Sequence, residues 1–105
     1  MLKVVREFRD SSYRVVEAEW EGNRFLYLED FKEGTQSLCL LEKEVPLDFL
    51  WEKHKEDENF CLPCELLLFF ERKVLKWRNS TAEMGLTLER LENFRKLLEA
   101  KNESS

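Results

Sequence analysis

Apolar and polar positions change rhythm partway along the chain. Up to residue 41, Val, Leu, Phe, Tyr and Trp come in short runs. Small polar clusters separate them: Asp10-Ser11-Ser12, Glu21-Gly22-Asn23-Arg24 and Lys32-Glu33-Gly34-Thr35. Runs rich in β-branched and aromatic residues, bounded by such clusters, read as strands joined by tight turns. The pattern predicts strands over 2–9, 13–20 and 25–31, and a fourth over 36–41. Gly22 at the first central position of a Gly22-Asn23 loop suits a type II′ hairpin.

Loop lengths imply a register, and the register sorts side chains onto faces. A Gly22-Asn23 loop sets Trp20 opposite Phe25 and Ala18 opposite Tyr27, with Val16 on the same face. An Asp10-Ser11 loop pairs Phe8 with Tyr13 and Glu7 with Arg14. A Ser11-Ser12 loop would oppose Arg9 and Arg14, so charge repulsion favours the former. The second face then holds Leu2, Val4, Phe8, Tyr13, Val15, Leu26 and Leu28, with Arg6, Glu17 and Glu19 among them. A sheet with one wet face alternates apolar and polar residues cleanly. Neither face here does so, which predicts cover on both.

Beyond residue 44 the period lengthens. Val45-Pro46-Leu47 reads as a helix start, because proline is favoured in the first turn. That helix runs to about Glu56, with Leu47, Leu50 and Trp51 on one side. After a polar break over 55–59, Leu62, Leu66, Phe69, Phe70, Val74 and Trp77 recur at helical steps. They predict a second helix from Leu62 to Arg78, apolar on most sides and therefore central. A strand over Glu65 to Phe70 is the rival reading of the same short apolar run. Ser80 and Glu83 have capping-box spacing, and Gly85 interrupts. Thr87 caps a last helix whose Leu88, Leu91, Phe94 and Leu98 form one stripe. The fold class expected is α+β: an N-terminal antiparallel β-meander of three to four strands, followed by two to three helices packed on the sheet. Residues 1–100 form one domain, and 101–105, without an apolar anchor, form a frayed tail.

Composition narrows the classes. The 105 residues are 43% hydrophobic and 37% charged, which is a folding composition rather than a disordered one. Twenty-two acidic side chains against 17 basic ones give a formal charge of −5, a poor match for a phosphate backbone. The charged start, Met1 to Glu7, is unlike a signal peptide. The longest apolar run, Leu66 to Phe70, is far short of the roughly 20 residues of a membrane helix. Three cysteines with few glycines and prolines are unlike a secreted disulfide scaffold, so the expected compartment is the cytoplasm.

The chemistry-bearing motif is Cys61-Leu62-Pro63-Cys64. With Cys39 and His54, the only histidine, the two thiolates make up the four N/S ligands of a structural zinc site. The alternative is that the cysteines serve as small buried hydrophobes. The same four residues resemble the C-x-P-C of thioredoxin-like redox proteins. That resemblance implies a helix opening at Leu62 and a thiol of lowered pKa. It covers four residues, and no proline follows Pro63 to match that family's cis-proline. Glu17 and Glu19, with Glu29 and Asp30 close in sequence, read as solvent-side charges paired with Arg6 or Arg24 rather than as an acid–base pair. His54, between two lysines, reads as a solvated helix residue. Arg72, Lys73, Lys76, Trp77 and Arg78 form a basic cluster beside an aromatic, the composition that tracks single-stranded nucleic acid.

These observations favour an interaction or assembly module without catalysis of its own and without a cofactor. It is expected to be a homodimer or to bind another protein, and to have no membrane partner. A sheet semi-apolar on both faces, with few helices to cover it, leaves apolar surface for a partner. Val4, Phe8, Tyr13, Leu26 and Leu28 are the candidate interface. The alternative is a small nucleic-acid-binding or zinc-stabilised regulatory protein.

Overall fold

The computed structural model describes residues 2–41, 44–66, 75–76 and 88–104. Strands β1 (Lys3–Arg9), β2 (Tyr13–Trp20), β3 (Asn23–Asp30) and β4 (Thr35–Leu40) form the expected antiparallel meander. Helices α1 (Leu47–Glu56), α2 (Leu62–Leu66) and α3 (Leu88–Ser104) follow. A two-residue β5 (Leu75–Lys76) adds to the far edge, giving the order β1-β2-β3-β4-β5.

Both first hairpins are slipped by two residues from the expected register. Trp20 pairs with Asn23 and Ala18 with Phe25, so Glu21-Gly22 is the loop. Both loop residues have positive φ, 52° and 78°. That is the type I′ requirement, and its twist matches the flanking strands. At the first hairpin Phe8 pairs with Val15, and Arg9 does stand opposite Arg14. The repulsion is avoided because the two guanidinium groups leave the axis of the pair. Arg14 bonds Glu7 and Glu99, while Arg9 lies over the Phe31 ring. The Asp10 carboxylate locks this turn by accepting the backbone N–H of Ser12 and of Tyr13, at 2.8 and 2.9 Å. A slip of two preserves facing, so the expected face of Val16, Ala18, Trp20, Phe25 and Tyr27 is found intact.

Leu2 and Val4 are on the other face from the one expected. The β1–β2 register shifts between Val4 and Arg6. A bulge of this kind adds one residue and reverses the facing of everything before it. Leu2 and Val4 therefore pack with Val16, Ala18 and Tyr27.

The sheet is the middle of three layers. On one face Phe94 and Leu98 of α3, both fully buried, sit against Trp20, Phe25, Tyr27 and Leu38. Phe94 meets Trp20 edge-on at 5.5 Å and lies 5.9 Å from the Tyr27 ring. On the other face α1 and α2 cover Val15 and Leu26 with Leu47, Leu50, Trp51, Leu62 and Leu66. Burying each such side chain stabilises the fold by about 1.5–3 kcal/mol. α1 has its expected bounds. Asp48 in its first turn and Lys53, His54 and Lys55 in its last agree with the helix dipole.

The predicted helix from Leu62 to Arg78 is corrected at 75–76, where Leu75 and Lys76 pair as strand with Leu38 and Ser37. The free edge of β4 offers unpaired backbone groups that a helical period cannot reveal. Glu65 and Leu66, at the start of the rival strand reading, are helical. The remainder of both readings, including Phe69, Phe70, Val74 and Trp77, lies outside the described residues. So do the Ser80–Glu83 capping box, Gly85 and Thr87. The backbone of α3 is helical to Ser104.

Candidate functional site

β2 carries one buried charge toward each face. Arg14 points to the α3 face, where its guanidinium bonds Glu7 of β1 and Glu99 of α3, both at 2.8 Å. Desolvation disfavours its charge, but the bonds to Glu99 and Glu7 outweigh this and raise its pKa. Glu17 points to the α1 face, where Arg24 of β3 bonds it at 3.0 Å. Arg6 Nε lies 3.1 Å from its other oxygen, an ion pair off the line of a hydrogen bond. Arg6 reaches on to Asp48 of α1. The second arm of Arg24 bonds Glu19, whose pKa that bond lowers. The expected pairing of Glu17 and Glu19 with Arg6 and Arg24 is therefore present. Glu17 itself, however, is buried rather than solvent-side.

At the Tyr13 end of the sheet, His54 Nε2 stands 2.7 Å from Asp10 Oδ2. The imidazole lies between two aromatic rings, Tyr13 at 5.0 Å and Trp51 at 4.9 Å. The expected solvated histidine is thus a largely buried one. Burial raises the Asp10 pKa, but the Tyr13 amide, the His54 side chain and the Ser12 amide more than compensate and hold it below the ordinary carboxylate value. Tyr13 is pushed up by burial and by the charges of Asp30, Asp10 and Glu33. This cluster ties α1 to the β1–β2 turn. Its members are 44 residues apart in sequence, so no motif announces it.

The four sulfur and nitrogen groups of the zinc reading are dispersed. Cys39 is buried in β4, opposite Leu26, and desolvation pushes its thiol pKa far up. His54 is engaged with Asp10. Cys61 and Cys64 are joined to each other by a disulfide at the start of α2. Among the described residues no three His, Cys, Asp or Glu side chains group to hold a metal ion. Of the basic cluster, Arg72, Lys73, Trp77 and Arg78 lie outside the described residues, and the Lys76 backbone belongs to β5.

Of the five residues of the candidate interface, one is buried and four are partly buried against the two core clusters. Leu26 is fully buried, Phe8, Tyr13 and Leu28 pack under α1, and Val4 packs on the α3 face. More exposed features of the described residues lie elsewhere. Phe49 of α1 is 60% exposed, with Lys53 lying over its ring. β1 forms one edge of the sheet, and no described strand pairs with its outer side. At the start of that edge Lys3, Trp20, Glu21 and Arg24 line an open recess of about 490 Å³.

These features define an α+β protein with a three-layer core and, among the described residues, β1 at one border of the sheet. No described helix is long and apolar enough to cross a membrane. Comparison with family models, curated proteins and solved structures finds no match to this chain.

Proposed function

We propose that this chain is a non-catalytic protein-interaction module whose contact is the outer edge of β1, where a partner contributes an extended strand. The observation that carries the reading is the position of β1 at the border of the sheet. An open edge presents backbone donors and acceptors that a second strand can satisfy, with side-chain pockets setting specificity. The bulge between Val4 and Arg6 and the charges of Lys3, Arg6, Glu7 and Arg9 restrict which strands fit. Three of those four charges are positive. A second copy of β1 would set like charges near one another, which is unfavourable across a ladder. A homodimer through this edge is accordingly the weaker form of the reading, and an acidic extended segment of another protein is the stronger.

Binding of a synthetic peptide of alternating Glu and Val, followed by calorimetry at low and high salt, tests this. Reversing the exposed Lys3 and Arg9 together (K3E/R9E) is expected to weaken binding roughly tenfold while leaving the circular dichroism unchanged. Native mass spectrometry of the chain alone reads self-association directly. A wild-type chain that stays monomeric and binds no acidic strand at low salt defeats the proposal.

A further inference from the structure

We propose that Cys61 and Cys64 form a reversible, solvent-facing disulfide/dithiol couple that exchanges with thiols, with Cys61 as the sulfur that carries the mixed disulfide. The two are joined across a sequence separation of 3, and both are exposed. Between them Leu62 is planted in the core under α1, as is Leu66 one turn on. The intervening backbone is thus held by packing that does not involve either sulfur. Pro63 has a fixed φ and stiffens it further. Reduction therefore leaves the two thiols near each other, at a high effective concentration for closing again. The Cys64 backbone N–H donates to Cys61 Sγ at 3.2 Å, so a negative charge on Cys61 has a donor already in place. The Glu65 N–H bond to the Cys61 carbonyl, 3.1 Å, fixes the turn that aims it. A disulfide closing so short a loop constrains the unfolded chain less than a long one, so stabilisation is a weak reason for it.

The exchange balances with a dithiol as co-reactant. A thiolate of the dithiol attacks Cys61 Sγ, the Cys61–Cys64 bond breaks, and its electron pair leaves on Cys64, which takes up a proton. The second thiolate of the dithiol then attacks its own partner sulfur in the mixed disulfide. Cys61 leaves as the thiolate that the Cys64 amide stabilises. Two electrons have moved to this chain, the dithiol has become a disulfide, and the reverse sequence reoxidises the pair. Cys39 stays outside the reaction because it is buried in β4.

The test is equilibration of the full chain in glutathione buffers of graded potential, with the oxidised fraction read by alkylation and mass spectrometry. The expected result is one reversible two-electron transition, a tenfold change in ratio per about 30 mV. Circular dichroism should stay unchanged and Cys39 unmodified. With glutathione disulfide, reduced C64S is expected to form its mixed disulfide at least about tenfold faster than reduced C61S. Should either variant unfold, partial alkylation of the reduced wild-type chain with peptide mapping reads the same ratio. A pair that never oxidises, or that reduces only on unfolding, overturns the couple. Equal rates at the two sulfurs overturn the assignment to Cys61.

Discussion

The two faces of the sheet solve the same problem with opposite charges. On the α3 face one buried cation, Arg14, lies between two carboxylates, Glu7 and Glu99. On the α1 face one buried carboxylate, Glu17, lies between two guanidinium groups, Arg6 and Arg24. The surrounding apolar layers differ as well. The α3 face centres on aromatic rings around Phe94, whereas on the α1 face the aromatic rings of Tyr13 and Trp51 flank the polar Asp10–His54 tie. The difference lies in what each charge holds. Arg14 bonds directly to a helix, so it anchors α3. Both Glu17 partners are strand residues, so it braces β1 and β3 across β2, and only Arg6 passes the contact on to α1. Burial of a lone charge is costly, and each face meets that cost by surrounding the charge with partners that are themselves partly wet.

The largest change should come from breaking the aromatic face. Phe94→Ala removes a fully buried ring that touches Trp20, Phe25 and Tyr27. It should destabilise the chain by about 3–5 kcal/mol in urea unfolding. A loss below about 1 kcal/mol would mean that α3 is not part of the cooperative core.

The two buried charges can be separated next. Arg14→Gln and Glu17→Gln should each cost about 1–3 kcal/mol, the cost of leaving buried polar groups imperfectly paired. Hydrogen exchange distinguishes them. Arg14→Gln should lower protection through α3 around Phe94 and Leu98, whereas Glu17→Gln should lower it in β1 and leave α3 unchanged. Identical exchange maps would show that the two charges do the same job.

The smallest effect is confined to acid. Asp10 binds its proton more weakly in the folded chain than at its ordinary value of 3.8, so the unfolded chain takes up more protons as pH falls. The stability it contributes is present in full above that value and is lost as pH drops through the lowered one. Asp10→Asn should therefore flatten the acid limb of the stability curve. An acid limb as steep as that of the parent would assign the effect to other carboxylates.

Short-range signals were legible in the chain. Turn residues located the four-strand meander. The i, i+3, i+4 spacing of Leu47, Leu50 and Trp51 placed α1, and the Phe94–Leu98 step gave the stripe of α3 that faces the core. From Arg6 onward facing survived the wrong register, because a slip of two keeps each side chain on its side of the sheet. Legibility ended where a choice depended on distant partners. The Arg9–Arg14 pairing is disfavoured between neighbours and acceptable once Glu99, 85 residues away, takes one guanidinium. The bulge at Val5 leaves no mark in composition. The Asp10–His54 tie, and the partial cover of Phe8, Tyr13 and Leu28, arise from how helices close over the sheet. The pairing of Leu75 with Leu38 overrides a helical period with hydrogen bonds that β4 supplies. Periodicity and turn chemistry are properties of a few adjacent residues, so the sequence alone determined the first four strands, α1 and the core-facing stripe of α3. Register, burial of charge and which surface stays open depend on groups brought together from far apart, and only the tertiary structure decided them.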